Sequence, residues 1–523
     1  MNTVGMRLVE GLHARGVEVV FGIPGVHTVE MYRGLSGSPV RHVTARHEQG
    51  CAFMADGYAR ATGKPGVALV ITGPGLTNAL TAMAQAREDS VPMLVISGVN
   101  RRASLGKGWG LLHELPDQQA MVATLCPTRR ITAPDQVAET LDWAFATMAT
   151  GRPGPVHIEV PTDVMPMECP ALPAPTPPLP RVAASGLDRA AALLNAAEKL
   201  VILAGGGTRG AEAALRALAE RLDAPVVQTI NARGQMHGHP LTVPASPSLS
   251  SVRRLIHDAD RVLAIGTEFG WTDYDMYVVG DLPARPDMIR IDACAEQLAR
   301  LPAALTLQGD AGATMAALLP LLAPHKGDGA ARADESRSKA RAEIGQLEPL
   351  MPQRLEMVEV IRAALPGCLI VGDSTQPIYA GNLYYDHDRP GGWFNAASGY
   401  GALGYGPGAA VGAAVGTPGV KVVCLVGDGG LQFSPGELRT AVDERLPITF
   451  LVWNNAAYNE IAEAMRAANT EVIGCHPSPL KMEPFAAACD LPFTSVPLDP
   501  EALHWALAQP QDGPRLIEVR VTA

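Results

Sequence analysis

The chain alternates short apolar runs with stretches of helical spacing. In the first part, VEVVFGIPG, VALVITGPG and PMLVISG are predicted strands, and HEQGCAFMADGYARATG is a predicted helix. The alternation returns in LVILAGGG, APVVQTI and RVLAIGTE, and again in CLIVGDST, VKVVCLVGDGG and ITFLVWNN. Strands that alternate with helices form parallel βαβ units. We therefore predict an α/β protein with three doubly wound parallel-sheet domains.

Two polar segments suggest where these domains end. Residues 166–180 are dense in proline, which suits neither a helix interior nor a central strand. The stretch PHKGDGAARADESRSKARAE mixes charges and has few apolar residues, which indicates an exposed linker that becomes helical. The predicted domains are therefore residues 1–165, 186–324 and 350–523.

Composition and charge narrow the class of protein. The chain has 523 residues, 47% of them hydrophobic, and a formal net charge of −11, which offers no general attraction to nucleic acid or anionic membranes. The eight cysteines are scattered without a CxxC pair, which is typical of a reducing compartment. We find neither a signal-peptide pattern nor an apolar run of membrane-spanning length. These features predict a cytoplasmic protein with no nucleic-acid or membrane partner.

The segment VKVVCLVGDGG carries the clearest candidate chemistry. Gly427, Asp428, Gly429 and Gly430 follow a continuous apolar strand, and ITFLVW then delivers Asn455 to the same edge of the predicted sheet. Mg²⁺ prefers oxygen ligands such as a carboxylate and an amide, together with phosphate oxygens. The glycines leave backbone N–H groups free to approach a diphosphate. Alternatively the motifs form a tight turn and a helix cap, but their spacing by one strand-helix-strand unit favours a metal site.

The residues between these two motifs predict a helix. Ser434 and Glu437 have the spacing of a capping box, and Pro435 between them suits a first helical position. We therefore expect a capped helix that runs to Arg445.

GDG followed at this distance by an Asn-Asn pair resembles the fingerprint of thiamine-diphosphate-dependent enzymes, such as acetolactate synthases and benzoylformate and pyruvate decarboxylases. The resemblance implies that Asp428, Asn455 and the backbone carbonyl of Ala457 coordinate Mg²⁺. RHEQGCAFMADGYAR resembles the family's glutamate segment, which implies that Glu48 hydrogen-bonds N1′ of the aminopyrimidine and activates the cofactor. Neighbouring Ala52, Phe53 and Met54 predict an apolar site that would keep this carboxyl protonated. The alternative is a surface glutamate at a helix N-terminus.

Other segments extend the resemblance along the chain. ITGPGLTNAL resembles the segment beside the pyrimidine and contains Asn78. In GYGALGYGPG, the resemblance assigns the Gly401 carbonyl to the 4′-amino group and Leu403 to the support of the cofactor's V shape. In GDSTQPIYAGN, Thr375 and Gln376 match diphosphate contacts. The resemblance also implies pyrimidine-binding, central and diphosphate-binding domains, with the cofactor between subunits of a homodimer or homotetramer.

The predicted middle domain contains a motif that is typical of another class of protein. Gly205, Gly207 and Gly210 in LAGGGTRG satisfy GxGxxG, the motif of a nicotinamide-dependent dehydrogenase, but VVQTINARG lacks the ribose-binding acid expected about 20 residues on. The segment associated with FAD in acetolactate synthases is not evident around PLTVPASPSLSS, so FAD is doubtful. A cofactor-free scaffold is the non-enzymatic alternative, and the intact glutamate and metal motifs argue against it.

The family implies decarboxylation of a 2-oxo acid through a C2 ylide and an enamine. The alternative is acetolactate-synthase-type carboligation, in which the enamine attacks a second carbonyl. His27 in PGVHTVE and His113 in LLHELPDQ lie on loops and are candidates for proton transfer, or are simply exposed loop histidines.

The phrases FGIPGVHTVEMYRGL, ARHEQG and LHELPDQ resemble the 5-guanidino-2-oxopentanoate decarboxylase branch of the family. A guanidinium would need carboxylates at the mouth of the pocket. The candidates are Glu114, Asp117, Glu460 and Glu463, which otherwise form a solvated helix face and a loop.

Overall fold

A computed structural model describes residues 2–177, 179–276, 280 and 285–521, and contains three six-stranded sheets. Among the described residues, no helix is long and apolar enough to cross a membrane. Contacts within the chain define two compact units. The first comprises Met1–Leu179, Tyr400–Ser495 and Pro510–Glu518, and the second comprises Pro180–Gly399, Val496–Gln509 and Val519–Ala523.

The first sheet and its helices lie in the N-terminal third of the chain. The strands are β1 Val19–Gly22, β2 Arg41–Thr44, β3 Gly66–Val70, β4 Met93–Val99, β5 Thr128–Arg130 and β6 Pro155–Pro161. The helices are α1 Val4–Ala14, α2 Val29–Leu35, α3 Glu48–Thr62, α4 Pro74–Glu88, α5 Gln118–Ala123 and α6 Val137–Ala149. The order is β2-β1-β3-β4-β6-β5, and all neighbouring strands pair in parallel.

The middle sheet follows a segment, residues 169–177 and 179–180, that forms no helix or strand. Its strands are β7 Leu200–Ala204, β8 Val226–Gln228, β9 Thr242–Val243, β10 Arg261–Ile265, β11 Ile289–Asp292 and β12 Leu305–Gln308, in the order β12-β11-β10-β7-β8-β9. The helices are α7 Leu187–Asn195, α8 Glu212–Leu222, α9 Ser250–His257, α10 Trp271–Tyr274, α11 Ala295–Ala299, α12 Ala311–Leu318, α13 Gly329–Leu347 and α14 Met351–Ala364. The polar stretch predicted to become helical is α13.

The third sheet has the order β14-β13-β15-β16-β18-β17. Its strands are β13 Leu369–Gly372, β14 Trp393–Asn395, β15 Val422–Gly427, β16 Ile448–Asn454, β17 Phe493–Pro497 and β18 Arg515–Arg520. The helices are α15 Gln376–Leu383, α16 Tyr405–Gly416, α17 Asp428–Leu431, α18 Glu437–Asp443, α19 Asn459–Ala467, α20 Met482–Ala488 and α21 Pro500–Ala508. Three sheets with interleaved helices confirm the predicted α/β architecture.

The GxGxxG segment of the middle sheet serves backbone packing. A short 3-10 helix covers Gly206–Thr208, and α8 begins only at Glu212. A Cβ on Gly205 would lie 2.1 Å from the carbonyl oxygen of Gly266. Glycine is therefore required where the turn after β7 meets the turn after β10, which accounts for the motif without a dinucleotide.

Helices α3 and α16 cross at very close range inside the first unit. A Cβ on Gly57 would lie 1.9 Å from the carbonyl oxygen of Ala409, and one on Gly412 would lie 1.8 Å from that of Met54. The two backbones touch directly, since neither glycine has a side chain to separate them. This crossing connects the helix that begins at Glu48 with the helix that follows Leu403.

Gly57→Ala is therefore expected to lower the free energy of unfolding by about 3 kcal/mol, the upper part of the range for overpacked cores. The added methyl meets backbone, which cannot rotate away. Gly154→Ala is a matched control, because no atom lies within 4 Å of the Cβ that it would add. Urea unfolding of both variants measures the difference. Equal midpoints would show that the helices separate at little cost.

Candidate active site

Two turns meet at the carboxyl ends of β1 and β3. Ligands of open parallel sheets bind where the strand order reverses, and in the first sheet β1 lies between β2 and β3 at such a reversal. Ile71, just after β3, contacts the turns on both sides. Its side chain lies 2.6 Å from the Cβ position of Gly25 and 2.5 Å from that of Gly75. The fold thus brings the segments FGIPG and ITGPG into one place.

Glu48 is the first residue of α3 and is half-buried. Its Oε2 accepts a hydrogen bond of 2.9 Å from Nδ2 of Asn78 on α4, and its Oε1 lies 3.5 Å from the Cβ position of Gly75. The apolar surroundings expected of this carboxyl stay a prediction. Phe53, one of the residues expected there, packs against the ring of Tyr405, at 5.3 Å between ring centroids. The hydrogen-bond partner of Glu48 is therefore Asn78, which the family resemblance also assigns to the pyrimidine end of the cofactor.

The backbone before Glu48 is held by a residue that sequence analysis placed in another role. Glu437 is 1% exposed, and its Oε1 accepts hydrogen bonds of 3.1 Å from the N–H groups of Arg46 and His47. The predicted capping box is therefore wrong: α18 starts at Glu437 without a side-chain cap, and Ser434 Oγ donates to Gly404 O. The carboxylate finds backbone donors on another element. Burial raises the pKa of Glu437.

Asp428 and Asn455 follow the neighbouring parallel strands β15 and β16. Asp428 is 6% exposed, and its Oδ1 accepts a bond of 3.3 Å from the backbone N–H of Asn455. Asn455 Oδ1 accepts one of 3.1 Å from the N–H of Ala457. Burial raises the pKa of Asp428, so its ionised form lacks full compensation within the chain. Asp428 and Asn455 thus supply a carboxylate and an amide oxygen at one edge of the sheet, donors of the kind that Mg²⁺ prefers.

The glycines beside Asp428 are packed tightly. Gly427 ends β15, and Gly429 and Gly430 are buried in α17, which begins at Asp428 itself. A Cβ on Gly429 would lie 2.5 Å from the ring of Tyr458. The GDGG segment therefore allows the chain after β16 to pack on the turn after β15.

The remaining cofactor candidates lie at the start of helices. Gly401 has a φ of 77° and precedes Leu403, which is half-buried, in the loop before α16 of the first unit. Thr375 is the N-cap residue of α15 and Gln376 is its first residue, and they are 6% and 3% exposed. They belong to the second unit.

His27 and His113 come together on neighbouring loops. Their ring centroids lie 5.3 Å apart, and Nδ1 of each is buried without a hydrogen-bond partner among the described residues. Burial, and then the proximity of His113, lower the pKa of His27. His113 has a φ of 61°, and its carbonyl oxygen lies 2.5 Å from the Cβ position of Gly73, beside Ile71. The loop histidines are therefore a close pair next to the turn after β3.

A cavity of about 200 Å³ is lined by Thr72 and by the residues that directly follow His113 in the chain. Glu114 and Asp117 both line it. The backbone N–H groups of Leu111 and Trp109 hold the pKa of Glu114 below its usual value, and Asp117 caps α5 through Ala120 N. The other two guanidinium candidates, on α19, are not among its lining residues. They are Glu460 and Glu463.

A buried network lies at the base of this cavity. Gln118 Oε1 accepts from Thr72 Oγ1 at 2.9 Å and from Gly73 N at 3.0 Å, and its Nε2 donates to Glu159 Oε2 at 3.0 Å. His157 is fully buried next to these groups and bonds Ser97 Oγ at 2.8 Å. The network fixes the turn after β3. Its members are single residues scattered along the chain, so no local sequence pattern indicates it.

His157 is expected to make the protein sensitive to acid. Burial, and then Arg130, lower its pKa from 6.5 to about 3. The unfolded chain therefore binds the proton first, so stability present above pH 6.5 is lost as pH falls toward 3, at about 1.4 kcal/mol per pH unit. Urea unfolding at pH 7.5, 6 and 5 should show a flatter pH dependence for His157→Gln. Parallel curves for the two proteins would contradict this assignment.

Comparison with known proteins shows the family to which this chain belongs. Three domain families match in succession: the thiamine pyrophosphate enzyme N-terminal TPP binding domain at residues 2–121, the central domain at 187–318 and the C-terminal TPP binding domain at 373–519. The chain therefore belongs to the thiamine pyrophosphate enzyme family, as the sequence predicted. Both TPP binding domains support thiamine diphosphate as the cofactor, and FAD gains no support.

Individual relatives agree with this class. A probable 2-ketoarginine decarboxylase, AruI, of Pseudomonas aeruginosa is 43% identical over 485 residues, which cover 91% of this chain and 86% of the relative. Acetolactate synthase isozyme 1 large subunit of Escherichia coli is 29% identical, covering 99% and 93%. A solved structure of a protein from Mycobacterium smegmatis has a TM-score of 0.82 at 24% identity and covers 100% of this chain and 99% of that one, which shows the shared fold.

Proposed function

We propose that this protein is a thiamine-diphosphate- and Mg²⁺-dependent decarboxylase of 5-guanidino-2-oxopentanoate, the acid also called 2-ketoarginine. The observation that carries the proposal is the 43% identity to a probable 2-ketoarginine decarboxylase over 91% of the chain. The cavity lined by Glu114 and Asp117 supports it, because two carboxylates suit a cationic guanidinium.

In this proposal the cofactor is held by residues of both TPP binding domains. Asp428, Asn455 and Ala457 would hold Mg²⁺, which would neutralise the diphosphate, and the GDGG segment would contact the diphosphate oxygens. Asn78 and Leu403 would border the cofactor's rings, and the Gly401 carbonyl would accept a hydrogen bond from the 4′-amino group. Thiamine diphosphate, when bound, supplies the nucleophilic carbon and the electron-accepting ring that decarboxylation of a 2-oxo acid requires.

The protein's own side chains move the protons. Glu48 exchanges a proton with N1′ of the aminopyrimidine, and Asn78 orients its carboxylate. Loss of CO₂ leaves a carbon that must gain a proton to become an aldehyde. His27 and His113 can deliver it, since Nδ1 of each has no hydrogen-bond partner in the part of the chain that the structure describes, and both residues lie next to the turn after β3.

The assembly that we propose is a homodimer or homotetramer, with the active site between subunits. The family resemblance supports this assembly, because family members place the cofactor between subunits. A cytoplasmic location remains part of the proposal.

Acetolactate-synthase-type carboligation is the second candidate. The Corynebacterium glutamicum acetolactate synthase large subunit is 32% identical over 86% of this chain. A panel of 2-oxo acids, with CO₂, aldehyde and acetolactate all measured, separates the two. We expect CO₂ and 4-guanidinobutanal from the guanidino acid and no acetolactate from pyruvate. Acetolactate from pyruvate without turnover of the guanidino acid would establish the second candidate instead.

Two variants test the guanidinium site itself. Glu114→Gln and Asp117→Asn should each raise KM for the guanidino acid about tenfold or more, and leave KM for uncharged 2-oxooctanoate nearly unchanged. Asparagine preserves the helix cap at position 117. Glu139→Gln is the control, because that side chain is 81% exposed and, within the described ranges, forms an ion pair with Arg129 alone. An equal rise for both acids would place these carboxylates outside substrate recognition.

A further inference from the structure

The loop between residues 399 and 404 is attached to the rest of the first unit at two points. Ser434 Oγ donates a hydrogen bond of 2.7 Å to Gly404 O. Gln85 Oε1 accepts one of 3.1 Å from the backbone N–H of Ala402. Gln85 lies on α4 and is fully buried, and Ala402 is 8% exposed. The second attachment therefore lies away from water, where a hydrogen bond is electrostatically stronger than at the surface.

The bond to Ala402 also orients Gly401. The N–H of Ala402 and the C=O of Gly401 belong to one peptide unit, which is planar and trans, so the two groups point in opposite directions. Fixing the N–H toward Gln85 therefore turns the carbonyl of Gly401 away from α4. Gly401 has a φ of 77°, and apart from its chain neighbours no atom of the described residues lies within 4 Å of its Cβ position, so the space beside this residue is open.

The amide of Gln85 is itself held in one orientation. Its Nε2 donates to Asp89 Oδ2, which also accepts a bond of 2.6 Å from Arg60 Nη2. Arg60 Nε donates to Asp56 Oδ1 at 2.7 Å, and the hydroxyl of Tyr405 donates to the same oxygen at 2.6 Å. Since a carboxylate accepts only, Nε2 must face Asp89 and Oε1 must face Ala402. These hydrogen bonds therefore link Gln85 to Tyr405, the first residue of α16.

We propose that Gln85 is a positioning residue that aims the carbonyl of Gly401 at the 4′-amino group of thiamine diphosphate. This rests on the proposed cofactor site, in which Gly401 accepts from that group. Gln85 touches neither cofactor nor substrate. It sets the direction of one acceptor, and the buried Asp89, Arg60, Asp56 and Tyr405 keep it set. Cofactor affinity and reactivity at C2 should therefore depend on a side chain in the core of the N-terminal domain.

The test compares Gln85→Met with Gln228→Met. Methionine has similar length and cannot accept the bond. Gln228 is a matched control in the second unit, because it is also fully buried and its Oε1 accepts from the N–H of Met236. Thiamine diphosphate affinity is measured by titration with Mg²⁺ present, and C2 proton exchange of the bound cofactor by NMR in deuterium oxide. We expect about tenfold weaker affinity and about tenfold slower exchange for Gln85→Met only.

A conservative variant separates positioning from general loss of structure. Gln85→Glu keeps an oxygen for Ala402 N, and because it is buried beside the Asp89 carboxylate it is protonated, so its hydroxyl donates to Asp89 Oδ2 in place of Nε2 and the bond from Arg60 is kept. It should recover affinity and exchange to within about twofold of wild type. Wild-type values for Gln85→Met, or equal losses for Gln228→Met, would overturn the inference. Failure of the wild-type protein to bind thiamine diphosphate would instead overturn the proposed function.

Discussion

Glu48→Gln is expected to retain thiamine diphosphate and to lose turnover by about 10²- to 10⁴-fold, the range typical of a lost general acid-base group. Glutamine can still accept the hydrogen bond from Asn78, so the start of α3 should keep its geometry. It cannot exchange a proton with N1′. The measurement is kcat with the guanidino acid, together with the mass of bound cofactor after gel filtration.

Glu10→Gln is the control for this variant, since Glu10 is an exposed α1 residue whose one ion pair among the described residues is with Arg7. It should change kcat less than twofold. Full activity in Glu48→Gln would remove Glu48 from the proposed mechanism. Loss of the cofactor together with activity would indicate a binding role instead.

Asp428→Asn is expected to abolish stabilisation of the protein by Mg²⁺ and thiamine diphosphate without destabilising the apoprotein. Burial raises the pKa of Asp428 above 3.8, so ionisation at neutral pH costs the folded apoprotein stability. Asparagine avoids this cost, and the apo variant should unfold at or above the wild-type midpoint. The wild type should gain about 2.7 kcal/mol at a ligand concentration of 100 Kd, and the variant close to nothing.

Thermal unfolding with and without both ligands measures this difference. Asp490→Asn is the control, because Asp490 is 72% exposed and its φ of 57° is one that asparagine tolerates. The control should gain as much stability from the ligands as the wild type. A wild-type gain in Asp428→Asn would exclude Asp428 from the metal site.

The sequence predicts that the two metal-binding candidates lie close together, because neighbouring parallel strands end at the same edge of a sheet. Chain direction is the same in β15 and β16, so residues that follow them must emerge at one sheet edge. Asp428 and Asn455 needed no knowledge of tertiary contacts for this prediction. Glu48 was harder, since one glutamate at a helix start is common and only its resemblance to a family segment distinguished it.

The sequence by itself determined the α/β class, the family and the motifs at the strand ends, because periodicity and short motifs are local properties. Only the tertiary structure decided which side chains hold those motifs in place. Glu437 meets the backbone before Glu48 across 391 positions in sequence, and Gln85 meets Ala402 across 317. Such single contacts leave no periodic signal, since each depends on how helices from opposite ends of the chain pack. Glu48 thus lies in a recognisable segment, but the contacts that hold that segment in place come from residues that no local pattern identifies.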